Sequence, residues 1–195
     1  MGTTNKVKFG IKNCYFAVAT IGANNSATYA APKALPGAVS LSLDAQGENT
    51  PFYADNIIYY TDVTNSGYQG DLELALVTDD FKKDVLGYAE DANGIMYENA
   101  DAPVVHFALL FEFDGDKHAK RHIMYNCTAT RPAVGSSTKT ATAEPQTETV
   151  SITATSIYNA SLSKNIVKAS VTPTETTQYN AWLTAVYQPT GTAST

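Results

Sequence analysis

The stretch Asp71–Tyr88, DLELALVTDDFKKDVLGY, joins two kinds of secondary structure and organises the rest of the sequence. Its first part alternates between polar and apolar residues, with a leucine at every second position: Leu72, Leu74 and Leu76. Successive side chains of a strand point to opposite faces of a sheet, so an alternation of period two predicts a half-buried β-strand. We expect the leucine face of this strand to pack against a core.

The alternation ends at Thr78-Asp79, where the residue types become those that begin a helix. Either side chain can accept a hydrogen bond from a free backbone N–H group of the first turn, and Asp80 places negative charge at the positive end of the helix dipole. The pattern predicts a helix from Asp80 to Leu86, with Gly87 as its C-cap and an apolar face formed by Phe81, Val85 and Tyr88. Because about two turns of helix are unstable alone in water, this face is expected to pack on neighbouring strands.

The composition is that of an acidic globular protein. The 195 residues are sufficient for one sizeable core, and we assign residues 1–195 to a single domain. The net charge of −6 argues against a protein that grips nucleic acid, because phosphate contacts require Lys and Arg side chains. No apolar run approaches the length that spans a membrane, so no membrane association is expected.

Short strand patterns dominate the rest of the sequence. Alternating or continuous apolar residues predict strands in the segments 7–18, 39–43, 104–113, 123–131, 150–154 and 167–171. The segment 104–113 is almost continuously apolar, so we expect it to be covered on both faces, by a second sheet and by the short helix. An Asp114-Gly115 turn predicts that a hairpin follows it, and the return strand is expected to carry on one face Ile123, Tyr125, Cys127 and Ala129.

Many short strands with one helix predict a mainly β fold of two packed antiparallel sheets, a β-sandwich or a partly closed barrel, with one short flanking α-helix. Residues 177–187 predict a final packed segment, which is a strand or a short helix. The Thr, Ala, Ser and Pro composition of residues 132–148 predicts a long flexible loop, and residues 189–195 a polar tail.

No motif of an enzyme, a metal site or a cofactor site is present in the sequence. It contains no Gly-x-Ser-x-Gly, phosphate loop, dinucleotide fingerprint or paired-cysteine zinc spacing. His118 and His122 enter a predicted strand, where four residues span roughly 13 Å, too far for one shared metal ion. The segment Asp116–His122 is therefore interpreted as a solvated basic hairpin tip, and His106 as a core or interface histidine.

The two cysteines, Cys14 and Cys127, lie in separate strand-like segments. We interpret them as buried free thiols. A disulfide between them stays open as an alternative, because it requires that their strands are neighbours in the sheet.

The segment Asp44–Gly70 is an unusual connection between two strands, because it combines turn residues with a cluster of large aromatic side chains: Phe52, Tyr53, Tyr59 and Tyr60. Large aromatics exposed to water in a loop are unfavourable, whereas aromatics are enriched at the buried centres of protein interfaces. Two interpretations stay open, a contribution to the core and contacts between subunits.

Taken in order, several stretches resemble the major tail tube proteins of long-tailed phages that infect Gram-positive bacteria. These stretches span nearly the whole chain: VKFGIKNCYFA, DLELALVTDDFKKDVLGY, HFALLFEFDGDKHAKRHIMYNCTATRP, ETVSITAT and AWLTAVY. All of them are structural rather than catalytic. The resemblance therefore implies a structural virion protein, made in the host cytoplasm, with no enzymatic activity and no cofactor.

The resemblance also implies how such a protein assembles. Hexameric rings with strands joined around a lumen stack into the tail tube, with tail terminator and distal tail proteins at its ends. The lumen holds a tape-measure protein and is later crossed by the phage DNA, which an acidic wall would repel without binding. In this arrangement Asp44–Gly70 is the arm that reaches neighbouring subunits or rings.

Two alternatives belong to other classes of protein. One is a tube protein of a related contractile-tail or secretion system. The other is a carbohydrate-binding or adhesive β-sandwich, for which Trp182 and the tyrosines would form a stacking platform. Assembly distinguishes them, because a tube protein polymerises and a lectin-like module does not.

Overall fold

The computed structural model describes residues 9–114, 119–138 and 145–191. The strands are β1 (Lys12–Ile21), β2 (Ala27–Tyr29), β3 (Lys33–Ala34), β4 (Ala38–Gln46), β5 (Asn49–Ala54), β6 (Ile57–Val63), β7 (Gly67–Leu74), β8 (Tyr88–Glu90), β9 (Met96–Glu98), β10 (His106–Glu112), β11 (Arg121–Ala129), β12 (Glu148–Thr155), β13 (Ile157–Asn159), β14 (Lys164–Ile166) and β15 (Lys168–Val171). The α-helices of these ranges are α1 (Asp79–Asp84) and α2 (Thr176–Ala181), and Ala23–Asn25 forms a short 3-10 helix. Gly115 and the predicted tip residues Asp116–His118 lie outside the described residues, as do parts of the predicted loop and tail.

The main sheet is antiparallel and runs in the order β2-β1-β10-β11-β12-β7-β4, with β3 also paired to β1 and β15 to β11. Side chains from strands near the two ends of the sheet reach the same core, among them Phe16 of β1 and Leu41 of β4, so the sheet curves around it. Within the described ranges no ladder joins β4 to β1, and the barrel is not closed. The predicted mainly β, sandwich-like fold class is confirmed, and the segment left open as strand or helix contains a second short helix, α2.

Helix α1 lies on the core side of this curved sheet. The Thr78 hydroxyl accepts a hydrogen bond from the Phe81 backbone N–H at 3.3 Å, which caps the first turn. The Phe81 ring is fully buried and packs edge-on against Phe16 and Phe107, with ring centroids 5.0 and 5.5 Å away. The helix ends at Asp84, two residues earlier than expected, because the chain then turns into β8.

Strand β10 is buried on both faces, as its continuous apolar character predicted. Phe107 and Leu109 face the core that contains α1. Ala108 and Leu110 face a second cluster, in which Trp182, the residue after α2, is buried beside Ile157 of the small β13–β14 ladder. The second face of β10 is therefore covered by the C-terminal end of α2 and by the two-stranded β13–β14 sheet.

Two faces predicted from strict alternation are wrong. Leu76 is 63% exposed because β7 ends at Leu74, and Val77 fills the core position instead. In β11 the register with β10 shifts between Phe107 and Leu109, which marks a β-bulge. The extra residue of a bulge reverses the parity of the strand, so Cys127 faces the α1 core and not the cluster that holds Ile123 and Tyr125.

Candidate interaction surface

Strands β5 and β6 form a two-stranded hairpin within the segment Asp44–Gly70. They are joined by Asp55 and Asn56, whose φ angles of 51° and 62° are both positive. This left-handed geometry suits a two-residue turn between twisted antiparallel strands, and Asp and Asn tolerate it. The unusual connection Asp44–Gly70 thus contains a regular hairpin, and the Asp55-Asn56 pair between two apolar runs was the sequence signal for it.

The hairpin continues the β4–β7 pair of the main sheet. The β4–β7 pairing ends with Gln46 opposite Gly67, and the Thr64 N–H donates to the Glu48 carbonyl at 3.0 Å before β5 and β6 begin. At this junction a Cβ atom on Gly47 would lie 2.2 Å from the Thr64 carbonyl oxygen. Only glycine therefore allows these two segments of the backbone to lie so close together. The ribbon thus extends from the sheet by about eight residues per strand, roughly 25 Å.

The side chains of the hairpin are mostly large, apolar and exposed. Their exposed fractions lie between 57% and 72% in seven positions: Phe52, Tyr53, Ile57, Ile58, Tyr59, Tyr60 and Val63. The aromatic residues of the arm therefore do not belong to the core of the single chain. Contiguous exposed apolar side chains on a soluble protein are typical of an interaction surface.

Both faces of the hairpin carry such side chains. Phe52 lies opposite Tyr60, and the next pair along the ladder is Tyr53 opposite Ile58. Residues directly opposite each other share a face, whereas neighbours in sequence point to opposite faces. The hairpin can therefore contact a partner on each side.

The electrostatic character of this segment is purely acidic. Between Lys33 and Lys82 the sequence contains no Lys or Arg. Asp44–Gly70 carries four carboxylates, and among the described residues none of them is in an ion pair: Asp44, Glu48, Asp55 and Asp62. A partner surface for the hairpin is expected to combine apolar character with positive charge.

The other residues selected from the sequence lie within the folded body. Val85 is buried in the α1 core, and half-buried Tyr88 begins β8 and donates its hydroxyl to the Glu98 carboxylate at 3.1 Å. Trp182 is 2% exposed and stacks on Tyr187, so it does not present a sugar-binding platform. His106 donates from Nδ1 to the amide oxygen of Asn126 at 2.7 Å, which is the structural role expected for it.

The cysteines are buried free thiols, as predicted. Strand β10 lies between the strands of Cys14 and Cys127, so the disulfide alternative is wrong. Burial raises the pKa of each thiol to about 12, because a thiolate would be desolvated in the core. The described part of the chain holds no cluster of His, Cys, Asp and Glu that could bind a metal ion, and none of its helices is long and apolar enough to cross a membrane.

An apolar acidic hairpin projecting from a strand-rich body defines a protein that associates through its surface. Comparison with known protein families agrees, because residues 2–195 match the family described as phage tail tube protein. The chain belongs to this family and is a structural component of the phage tail tube, located in the virion tail. Membership of this family implies that the chain assembles with itself into a tube. No curated protein matches the chain.

Proposed function

We propose that this protein assembles as hexameric rings that stack into the tail tube, and that the β5–β6 hairpin connects neighbouring subunits. The observation that carries this proposal is the set of seven large apolar side chains, each more than half exposed, on one projecting ribbon. Burying one such side chain contributes about 1.5–3 kcal/mol. Their combined burial is therefore comparable with, or larger than, the estimated 4–15 kcal/mol that association costs in lost freedom of motion.

Ring closure has a second structural basis in the edges of the main sheet. Among the strands that the structure describes, β4 pairs only with β7, and β2 and β3 pair only with β1, so both ends of the described sheet have backbone N–H and C=O groups without a strand partner. Unpaired edges favour pairing with another chain, and a closed ring removes them. Joining the β4 edge of one subunit to the opposite edge of the next would surround a lumen.

The proposed lumen accommodates the tape-measure protein during assembly and the genome during ejection, while the tail terminator and distal tail proteins close the two ends of the tube. The net charge of −6 supports an inner wall that is acidic overall. Such a wall repels the phosphate backbone, so DNA passes without specific binding.

The test is a hairpin-deleted variant in which residues 48–64 are replaced by a two-residue Asn-Gly turn. Since β5 and β6 pair only with each other among the described strands, we expect a folded, soluble subunit that does not form tubes. Circular dichroism and thermal unfolding check the fold, and light scattering with negative-stain electron microscopy checks assembly. The wild-type protein, measured at the same concentration with and without short tube seeds, is the control.

Three results would contradict the proposal. Normal tubes from the deleted variant would show that the hairpin is not the connector. An unfolded variant would show that the hairpin aromatics stabilise the subunit itself. A wild-type protein that stays monomeric at every concentration, seeded or not, would remove the basis for self-assembly altogether.

A further inference from the structure

A cavity of about 340 Å³ lies where the main sheet divides into two branches. Strand β11 pairs with β15 along its first half and with β12 along its second half. The β12-β7-β4 branch therefore separates from β15 and leaves an opening between them. Phe111 and Met124 form a buried floor, Leu43 and Tyr68 line the β4–β7 side, and the exposed Lys168 stands at the β15 side.

The cavity is lined by aromatic side chains and has a positively charged lysine at its edge. The Lys168 ammonium group lies 4.5 Å from the centroid of the Tyr68 ring. The His122 ring stacks on Phe111 at 5.3 Å. Within the described ranges Lys168 forms no ion pair with a carboxylate. A volume of this size is at the lower end of that of small-ligand sites, and it suits an apolar or aromatic side chain with a negative charge nearby.

The hairpin carries the complementary chemistry. It exposes Tyr59 and Tyr60 next to Asp62, with Asp55 at its tip, and it has no basic residue. No hairpin residue lines the cavity of its own chain, although Leu43 and Tyr68 of the lining belong to the strands from which the hairpin extends. A hairpin with this complementary chemistry is available from a second copy of the chain.

We propose that the aromatic side chains of the β5–β6 hairpin of one subunit bind the cavity between β4 and β15 of a neighbouring subunit, with hairpin carboxylates facing Lys168. Because donor and acceptor lie at different places on the chain, each subunit can bind one neighbour through its hairpin and another through its cavity. A contact that repeats in this head-to-tail way builds a ring or a stack. The inference rests on the proposed function, and it adds the acceptor surface for the hairpin.

Disulfide trapping between two differently labelled copies tests this contact. One copy carries a thiol on the hairpin, either Thr50→Cys or Thr61→Cys, two exposed positions on opposite faces of the ribbon. The other copy carries Ser170→Cys, which lies opposite His122 on β15 at the edge of the cavity. The native thiols do not interfere, because Cys14 and Cys127 are buried. We expect one hairpin variant to cross-link to the Ser170→Cys copy when the mixture assembles and is oxidised.

A matched control places the acceptor thiol elsewhere. Thr153→Cys is equally exposed, but it lies on β12 away from the cavity. Cross-links that form to Thr153→Cys as readily as to Ser170→Cys would overturn the proposal, as would cross-links only between two hairpins. Tubes that assemble normally with no cross-link to Ser170→Cys would refute the cavity as acceptor and leave the role of the hairpin in assembly intact. If the wild-type protein forms no tubes under any condition, the proposed function is refuted, and the cross-linking result no longer bears on it.

Charge reversal gives an independent measurement. The Lys168→Glu variant keeps an exposed, charged side chain at the cavity, but its negative charge repels the carboxylates of the hairpin. We expect seeded tube elongation at low salt to slow by about tenfold, with a smaller difference at high salt, because charges at the edge of an interface act mainly on the association rate. Lys164→Glu, on β14 and outside the cavity lining, is the control. Equal elongation rates for the Lys168→Glu variant and wild type at low salt would contradict the electrostatic part of the contact.

Discussion

Replacing Phe81 by Ala is expected to destabilise the subunit by about 3–5 kcal/mol, the range measured for deletion of a buried aromatic ring. The Phe81 ring has no exposed surface and packs edge-on against two other rings, Phe16 and Phe107. Burial of the side chain supplies about 1.5–3 kcal/mol, and each aromatic pair adds about 0.5–1.5 kcal/mol. Since α1 is only six residues long, it cannot stay in place without this ring.

Urea unfolding of the subunit, kept below the concentration at which tubes form, measures this loss. With a denaturant dependence of about 2 kcal/mol per molar urea, the unfolding midpoint should fall by roughly 2 M. Leu76→Ala is the matched control, because Leu76 is the nearby leucine that the structure places in solvent, and it should change the stability by less than about 0.5 kcal/mol. A loss below about 1 kcal/mol for the Phe81 variant, or equal losses for both variants, would refute the packing described for α1.

Two further predictions concern the thiols and DNA. Because burial raises the pKa of Cys14 and Cys127 from 9.0 to about 12, both thiols should stay protonated and unreactive towards a maleimide at pH 8, and both should react after unfolding in urea. Rapid labelling of the native protein would show that the core is open. The acidic protein should also show no salt-dependent binding of double-stranded DNA in a gel-shift or anisotropy assay, and tight binding that weakens with salt would contradict an acidic lumen.

Strand positions were predictable where one face of a strand is buried. The alternation in β12, with Val150, Ile152 and Ala154 inward, is reproduced in the structure because a register slip of one residue would expose the whole apolar face. The start of α1 was predictable for a different reason, since Thr78 caps the helix through a local hydrogen bond. Both signals depend on residues close together in sequence.

The hairpin was harder to predict because its environment is absent from a single chain. Alternation identifies a strand only when one side is apolar and the other polar, and β5 and β6 are apolar on both faces. The acceptor cavity had no sequence signal at all. Its residues come from β4, β7, β10, β11 and β15, which only the folded sheet brings together.

Four features could be predicted without the structure: the mainly β fold class, the capped helix after the Asp71–Leu74 strand, the two buried thiols and the acidic character of the chain. Each of these depends on residue type and on spacing within one segment. Three features became visible only in the folded chain: the face on which Cys127 lies, the exposure of Leu76, and the place where the sheet divides to form the cavity. Bulges, strand ends and branch points are set by the pairing strand, and the pairing strands of this chain are distant in sequence, so no local pattern predicts them.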